Sequence, residues 1–223
     1  MRTKVYKYIR SQHLDDFVRR GRVLFRNLTF FRASEDAARG DLLEGRHIDR
    51  PGGGVSITNL STGQRMQGDF AFVNSVDTEN IFVYCFSMKH DEELYRSFGA
   101  DACVEITSIT QFVRDCRQAL RRKHSNLVIC HGPVEYYSQK TAAEKCVKDP
   151  RNLPFFKPDR FASQAEYRIV VLPEAGPGIV QNIVRGEALP HTELPTGESP
   201  RTLCIRLRGK RQYMKVHCAR SQG

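Results

Sequence analysis

Apolar residues in this chain recur mainly in short runs, a pattern typical of β-strands rather than long helices. One group alternates or clusters as expected for strands buried in a sheet, and strands dominate the second half. The pattern predicts an α+β fold with a mainly antiparallel sheet and flanking short helices. The expected strands cover residues 5–9, 23–31, 81–88, 102–106, 127–130, 134–137, 167–171, 179–184, 202–207 and 212–216. Within 23–31, Asn27 is a possible turn.

Helical periodicity is clearest after Ser108. The apolar positions that follow, from Ile109 to Leu120, recur at helical spacing and predict one buried stripe. Shorter helices are expected after Ser11 and over 91–98, and 33–43 is polar with helical propensity. The last two strands are expected to form a basic hairpin around Gly209.

The strand at 167–171 has an unusual polar approach. Gln164 and Glu166 are two residues apart, so in an extended chain they project to the same side, roughly 6–7 Å apart. Arg168 continues that face, and Tyr167 begins the opposite, apolar one. An amide beside a carboxylate at a strand mouth is a usable catalytic pair, but a polar strand face that only meets water would show the same spacing.

Composition limits the classes of protein that fit. The 223 residues show no obvious linker, so a single domain over 1–223 is expected. The net charge of +10 favours anionic partners such as nucleic acids, although a generic solubilising charge would look similar. No apolar run has the length of a membrane span or a signal peptide, so a cytoplasmic location and no membrane partner are expected.

The seven cysteines are odd in number and none are paired as C-x-x-C, so mostly buried reduced thiols are expected. His124, Cys130 and His131 are the nearest approach to a ligand cluster, and no metal site is expected.

Three segments in order resemble the mono-ADP-ribosyltransferase superfamily. They are VYKYI before a short helix, CFSM before DEELYRSFG and ACVEI, and SQAEYRIV. The last is similar to the Q-A-E motif of bacterial ADP-ribosyltransferase toxins that modify DNA. Lys7 stands where those toxins have histidine, and CFSM replaces their Ser-Thr-Ser element. The resemblance implies a split β-sheet core and NAD as substrate.

The resemblance also implies roles for individual residues. Glu166 would hydrogen-bond the ribose as positive charge develops, and Gln164 would orient the acceptor. Ser87 would support Glu166. Cations would hold the diphosphate and aromatic rings would stack on nicotinamide or its ribose; the candidates are Lys7, Arg32 and Arg39 for the first task and Tyr8 and Phe86 for the second. A salt-bridged surface helix would explain Arg32 and Arg39 equally well, and core packing would explain Phe86.

The expected function is therefore transfer of ADP-ribose from NAD to a nucleic acid, RNA or DNA, as a bacterial toxin or phage-defence effector that an antitoxin protein could neutralise. A protein acceptor is one alternative. A non-catalytic, basic nucleic-acid-binding module is another, although no glycine-aromatic RNA-binding motif or helix-turn-helix is present. A metal-dependent nuclease ranks last, because no D-x-D or H-x-H spacing supports it.

Overall fold

The structure is a computed structural model that describes residues 3–34, 40–52, 54–140, 147, 149–185 and 199–218. Fifteen strands and three α-helices occur in these residues. The strands are β1 (Val5–Ile9), β2 (Arg22–Asn27), β3 (Arg46–Asp49), β4 (Val55–Thr58), β5 (Arg65–Gly68), β6 (Phe70–Val76), β7 (Phe82–Ser87), β8 (Ala102–Ile106), β9 (Leu127–Pro133), β10 (Glu135–Tyr137), β11 (Phe156–Pro158), β12 (Glu166–Pro173), β13 (Ile179–Arg185), β14 (Thr202–Arg206) and β15 (Met214–Cys218).

The α-helices are short apart from one. They are α1 (Leu28–Arg32), α2 (Glu92–Ser97) and α3 (Ile109–Arg121). Short 3₁₀-helices cover Ser11–His13, Pro150–Phe155 and Asp159–Gln164, and a π-helical turn covers Asp15–Arg19. None of the helices in the described residues is long and apolar enough to cross a membrane.

The main sheet has eight antiparallel strands and divides at β7. One edge of β7 pairs with β12 along Phe82–Ser87. The other edge pairs with two different strands: with β2 at Phe82 and Val83, and with β1 at Ser87. Between those contacts the second edge carries no ladder partner, so β1 and β2 diverge around the middle of β7. This divergence opens a cleft in the sheet.

Strand alternation sends the side chains of β7 and β12 to two separate cores. Phe82, Tyr84 and Phe86 join Tyr167 and Ile169 in the core beneath α3. Their neighbours face the other side, where a smaller three-stranded sheet, β13-β6-β3, covers part of the surface. Both faces of β12 are therefore buried, as its uniformly low exposure shows. A polar side chain on β12 must find its partners inside the protein.

The predicted mainly antiparallel α+β arrangement is confirmed, since only β10 and β11 pair in parallel among the described strands. The strand-like run over 23–31 is interrupted at Asn27, the possible turn: β2 ends there, and the Asn27 side chain accepts from Phe30 N at 3.1 Å and caps α1. Two other local predictions are wrong. The C-terminal hairpin does not form: β14 pairs with β2 and β15 with β8, at opposite ends of the sheet. Cys204, expected among the buried thiols, is exposed.

Candidate functional site

A cleft lies where β1 and β2 diverge from β7. Six of the residues predicted to form a site line it: Lys7, Tyr8, Phe86, Ser87, Gln164 and Glu166. Three cations that were not predicted as site residues, Arg26, Lys157 and Arg168, line it as well. Its volume is about 140 Å³, small beside the roughly 300–1,000 Å³ of typical ligand pockets. A large ligand would place one end in the cleft and extend over the open face.

Gln164 and Glu166 do not lie on one strand face, so that prediction is wrong. Gln164 ends the 3₁₀-helix Asp159–Gln164, and β12 begins only at Glu166. Between them Ala165 has φ of 43°, the left-handed conformation that side-chain-bearing residues rarely adopt. The two side chains still converge, because Lys157 Nζ donates to Gln164 Oε1 at 3.0 Å and to Glu166 Oε2 at 3.1 Å.

Glu166 belongs to a buried ion-pair network. Arg168 Nε donates to Glu166 Oε1 at 2.7 Å, and Arg168 Nη2 donates to Glu44 Oε2 at 2.9 Å. Glu166, Arg168 and Glu44 are 4%, 1% and 1% exposed. The alternative of a polar face that only meets water is therefore wrong. Arg168 lies two residues from Glu166 on the same strand face. It bridges Glu166 to the carboxylate of Glu44, which lies 124 positions before Arg168 in the sequence.

The network keeps Glu166 ionised. Burial by itself would raise its pKa, but the charges of Arg168 and Lys157 outweigh burial and hold the pKa well below the usual range. Cys85 contributes a hydrogen bond in the same direction. A fixed, ionised carboxylate in a low-dielectric cleft is suited to stabilising a developing positive charge.

A second buried carboxylate near this network behaves differently. Asp41 is 1% exposed, and its Oδ2 has no hydrogen-bond partner among the described residues. The guanidinium of Arg160 lies 3.4 Å from its Oδ1. Burial and then the charge of Glu44 raise the pKa of Asp41 to about 6, against the opposing charges of Lys157 and Arg160.

This gives a testable pH dependence. The folded protein binds a proton at Asp41 more tightly than the unfolded chain, so its contribution to stability falls as pH rises from about 4 to about 6. Replacing Asp41 by Asn should remove that fall. The free energy of unfolding of Asp41→Asn minus that of wild type should therefore be about 1–3 kcal/mol larger at pH 7 than at pH 4. Urea unfolding of both proteins across this range measures the difference; a constant difference would contradict the burial of an ionising Asp41.

Ser87 and Lys7 occupy the cleft with partners of their own. Ser87 Oγ donates to the main-chain oxygen of Gln164 at 2.7 Å rather than to Glu166, and it accepts from Lys89 N at 3.0 Å. Ser87 therefore fixes the segment before Glu166. Lys7 Nζ donates to the main-chain oxygen of Cys85 at 2.9 Å, at the part of β7 that lacks a ladder partner. A cation thus lies in the opening between the diverging strands.

The two predicted aromatic side chains, Tyr8 and Phe86, mainly contact other side chains of the protein. The Tyr8 hydroxyl accepts from Asp91 N at 2.7 Å, and its ring meets Tyr95 edge-on at 5.0 Å. Phe86 borders the cleft, but its ring packs against Phe112 in the core beneath α3, as the core interpretation predicted.

Arg32, one of the two predicted arginines, is not among the residues that line the cleft. Arg32 is 5% exposed and donates to the main-chain oxygen of Glu44 at 2.8 Å. The surface-helix alternative also fails for Arg32 and Glu44, since both are buried. Arg39 lies outside the described residues. Besides Arg168, the arginine that lines the cleft is Arg26, whose guanidinium lies 4.6 Å from the Phe30 ring centre. Only its position on a strand of alternating burial could have indicated it.

Within the described ranges, no three or more His, Cys, Asp or Glu side chains are grouped so that they could hold a metal ion. This includes the segment around His124, Cys130 and His131.

No family model, curated protein or solved structure matches the chain.

Proposed function

We propose that this chain is a mono-ADP-ribosyltransferase that transfers ADP-ribose from NAD to a nucleic acid. The observation that carries the proposal is the position of Glu166: an ionised carboxylate, tied to Gln164 through Lys157, at a cleft where the sheet splits between β1 and β2. A split antiparallel sheet with short flanking helices is also what an ADP-ribosyltransferase-like fold requires.

The chemistry places a specific demand on the site. The bond between nicotinamide nitrogen and ribose C1′ breaks, the bonding electron pair leaves with nicotinamide, and the ribose becomes an oxocarbenium ion. A carboxylate that hydrogen-bonds a ribose hydroxyl binds this cation more strongly than the ground state. Glu166 would have this role. The acceptor then forms a new bond to C1′ and loses a proton.

The cations of the cleft support binding of the diphosphate. Lys7 lies between the diverging strands and Arg26 on β2 faces the same opening. Because the cleft is small, the nicotinamide ribose would occupy it, and the diphosphate would extend toward Arg26 over the more open part of the sheet. Arg26 replaces Arg32 in the proposed diphosphate site.

The acceptor is proposed from charge. A net charge of +10 favours a polyanion, so RNA or DNA is the preferred acceptor. A transferase of this kind would act in the cytoplasm as a toxin or phage-defence effector, and its host would need a neutralising antitoxin protein.

The proposal is tested by incubating the protein with NAD labelled in the adenylate and with total RNA, DNA and protein from cells. Label should move to nucleic acid, and nicotinamide should be released. Label on protein alone would replace the nucleic-acid acceptor with a protein acceptor. If the protein transfers no label, cleaves no NAD and binds no NAD, the enzymatic proposal is overturned.

A second function has one observation in its favour. Both carboxylate oxygens of Glu166 already accept hydrogen bonds from Arg168 or Lys157, as expected if the network were purely architectural. The chain would then be a non-catalytic, basic nucleic-acid-binding module. That function requires salt-sensitive nucleic-acid binding without NAD cleavage.

A further inference from the structure

We propose that Lys157 is the positioning residue of this site, which holds the side chains of Gln164 and Glu166 together as one unit at the cleft. The inference rests on the proposed function for its catalytic consequence. Its geometry does not depend on that function: the ammonium group of Lys157 donates to Gln164 Oε1 at 3.0 Å and to Glu166 Oε2 at 3.1 Å.

The position of Lys157 is itself constrained. It is the middle residue of β11, which pairs with β10, and it is 4% exposed. Pro158 directly follows Lys157, and the Nζ of Lys157 lies 4.2 Å from the centre of the Phe161 ring. A lysine on the surface would lose much side-chain entropy to hold one geometry. Here burial and the ring restrict the side chain, so its two hydrogen bonds fix the relative placement of Gln164 and Glu166.

Lys157 also balances the charge of the network. Arg168 is shared between two carboxylates, because its guanidinium donates to both Glu44 and Glu166. One guanidinium cannot neutralise two buried carboxylates, so the second positive charge must come from another group. Lys157 makes the remaining buried ion pair to Glu166. Without it the buried group would carry a net negative charge, which favours uptake of a proton by one carboxylate.

Other groups around Glu166 cannot replace this charge. The Cys85 thiol and the Tyr136 hydroxyl are neutral neighbours, since burial raises the pKa of each. Glu44 and Asp41 are acidic. Among the described residues, the charged and titratable groups around Glu166 are Arg168 on its own strand, Lys157 on β11, Cys85 on β7, Tyr136 on β10, and Glu44 through Arg168. Lys7 lines the same cleft, but its ammonium group donates to the main-chain oxygen of Cys85.

The test replaces Lys157 by Met, which keeps most of the length of the side chain without its charge, and by Arg, which keeps the charge. We expect Lys157→Met to lower kcat for NAD cleavage about 100-fold, the cost of a misplaced catalytic group, with KM for NAD nearly unchanged. The acidic limb of the pH profile of kcat should move to higher pH, and Lys157→Arg should restore part of both. Lys123→Met, in the exposed turn that follows α3, is the control for loss of one positive charge.

A second measurement does not depend on activity. Infrared difference spectra recorded from pH 7 down to pH 4 detect a carboxyl group taking up a proton. Lys157→Met should show such a band at a pH at which wild type does not, and the double variant Lys157→Met with Glu166→Gln should lack it. If the double variant is also more stable than Lys157→Met alone, the lost charge balance explains any weak folding of the single variant.

The outcomes separate this inference from the proposed function. A wild type that cleaves no NAD overturns the proposed function, while the infrared band still decides the placement of Lys157. An active wild type with unchanged kcat and pH profile in Lys157→Met overturns the positioning role. A protonation band that is equal in Lys157→Met and Lys123→Met overturns the charge balance.

Discussion

Replacing Arg168 by Met is expected to lower the free energy of unfolding by about 3–5 kcal/mol. The guanidinium is 1% exposed and donates to Glu44, Glu166 and the main-chain oxygen of Pro154. The replacement would leave two carboxylates in the interior with only Lys157 beside one of them. Removing one partner of a buried pair costs far more than the pair contributes, because the remaining charges cannot recover their hydration.

Chemical denaturation of wild type and Arg168→Met measures this loss. Arg114→Met on α3 is the matched control, since Arg114 is exposed and its loss should change stability by no more than about 0.5 kcal/mol. Adding Glu44→Gln to Arg168→Met should recover part of the loss by removing one uncompensated charge. Equal stability of Arg168→Met and the control would show that the three charged side chains are hydrated rather than buried together.

The strands of the main sheet were predictable from sequence because local pattern determines them. The apolar runs at 81–88, 102–106 and 167–171 match β7, β8 and β12 within a few residues. Pairing depends on distant partners, which no local pattern contains. The residues around Gly209 have the sequence pattern of a hairpin. In the structure β14 pairs with β2 and β15 pairs with β8, so the two strands are not neighbours.

The sequence predicted only part of the candidate site, because several contacts of the site join residues that are distant along the chain. The Q-x-E spacing located Glu166, but a left-handed Ala165 cannot be read from the sequence, and it takes Gln164 out of the strand. The sequence placed Arg168 on the face of Glu166, but it could not show whether that face meets water, because the partner Glu44 comes from a segment far along the chain. Lys157 lies in a loop-like stretch rich in Pro and Phe. Its importance becomes visible only when β11 brings its ammonium group to Gln164 and Glu166.

If the chain cleaves NAD as proposed, replacing Glu166 by Gln is expected to reduce that cleavage by about 100- to 1,000-fold while NAD binding is retained. Gln keeps the shape and one acceptor oxygen, but it lacks the negative charge that would stabilise the ribose cation. Nicotinamide release measures cleavage, and calorimetry at equal protein concentration measures NAD binding. The loss should fall on kcat, because the charge interacts with the transition state rather than with the ground state.

The control must separate catalysis from architecture, since Glu166→Gln also leaves Lys157 and Arg168 with one carboxylate fewer. Glu105→Gln is suitable: Glu105 lies on β8 of the same sheet, is 7% exposed and forms an ion pair with Lys4 at 3.0 Å. Both variants lose a paired carboxylate, but only Glu166 lies at the cleft. Full cleavage by a folded Glu166→Gln protein would exclude Glu166 from the reaction. Equal loss in both variants would assign the effect to the sheet as a whole. A loss confined to Glu166→Gln, in a folded protein with NAD binding intact, would support a role for this charge at the ribose bond that breaks in the proposed reaction.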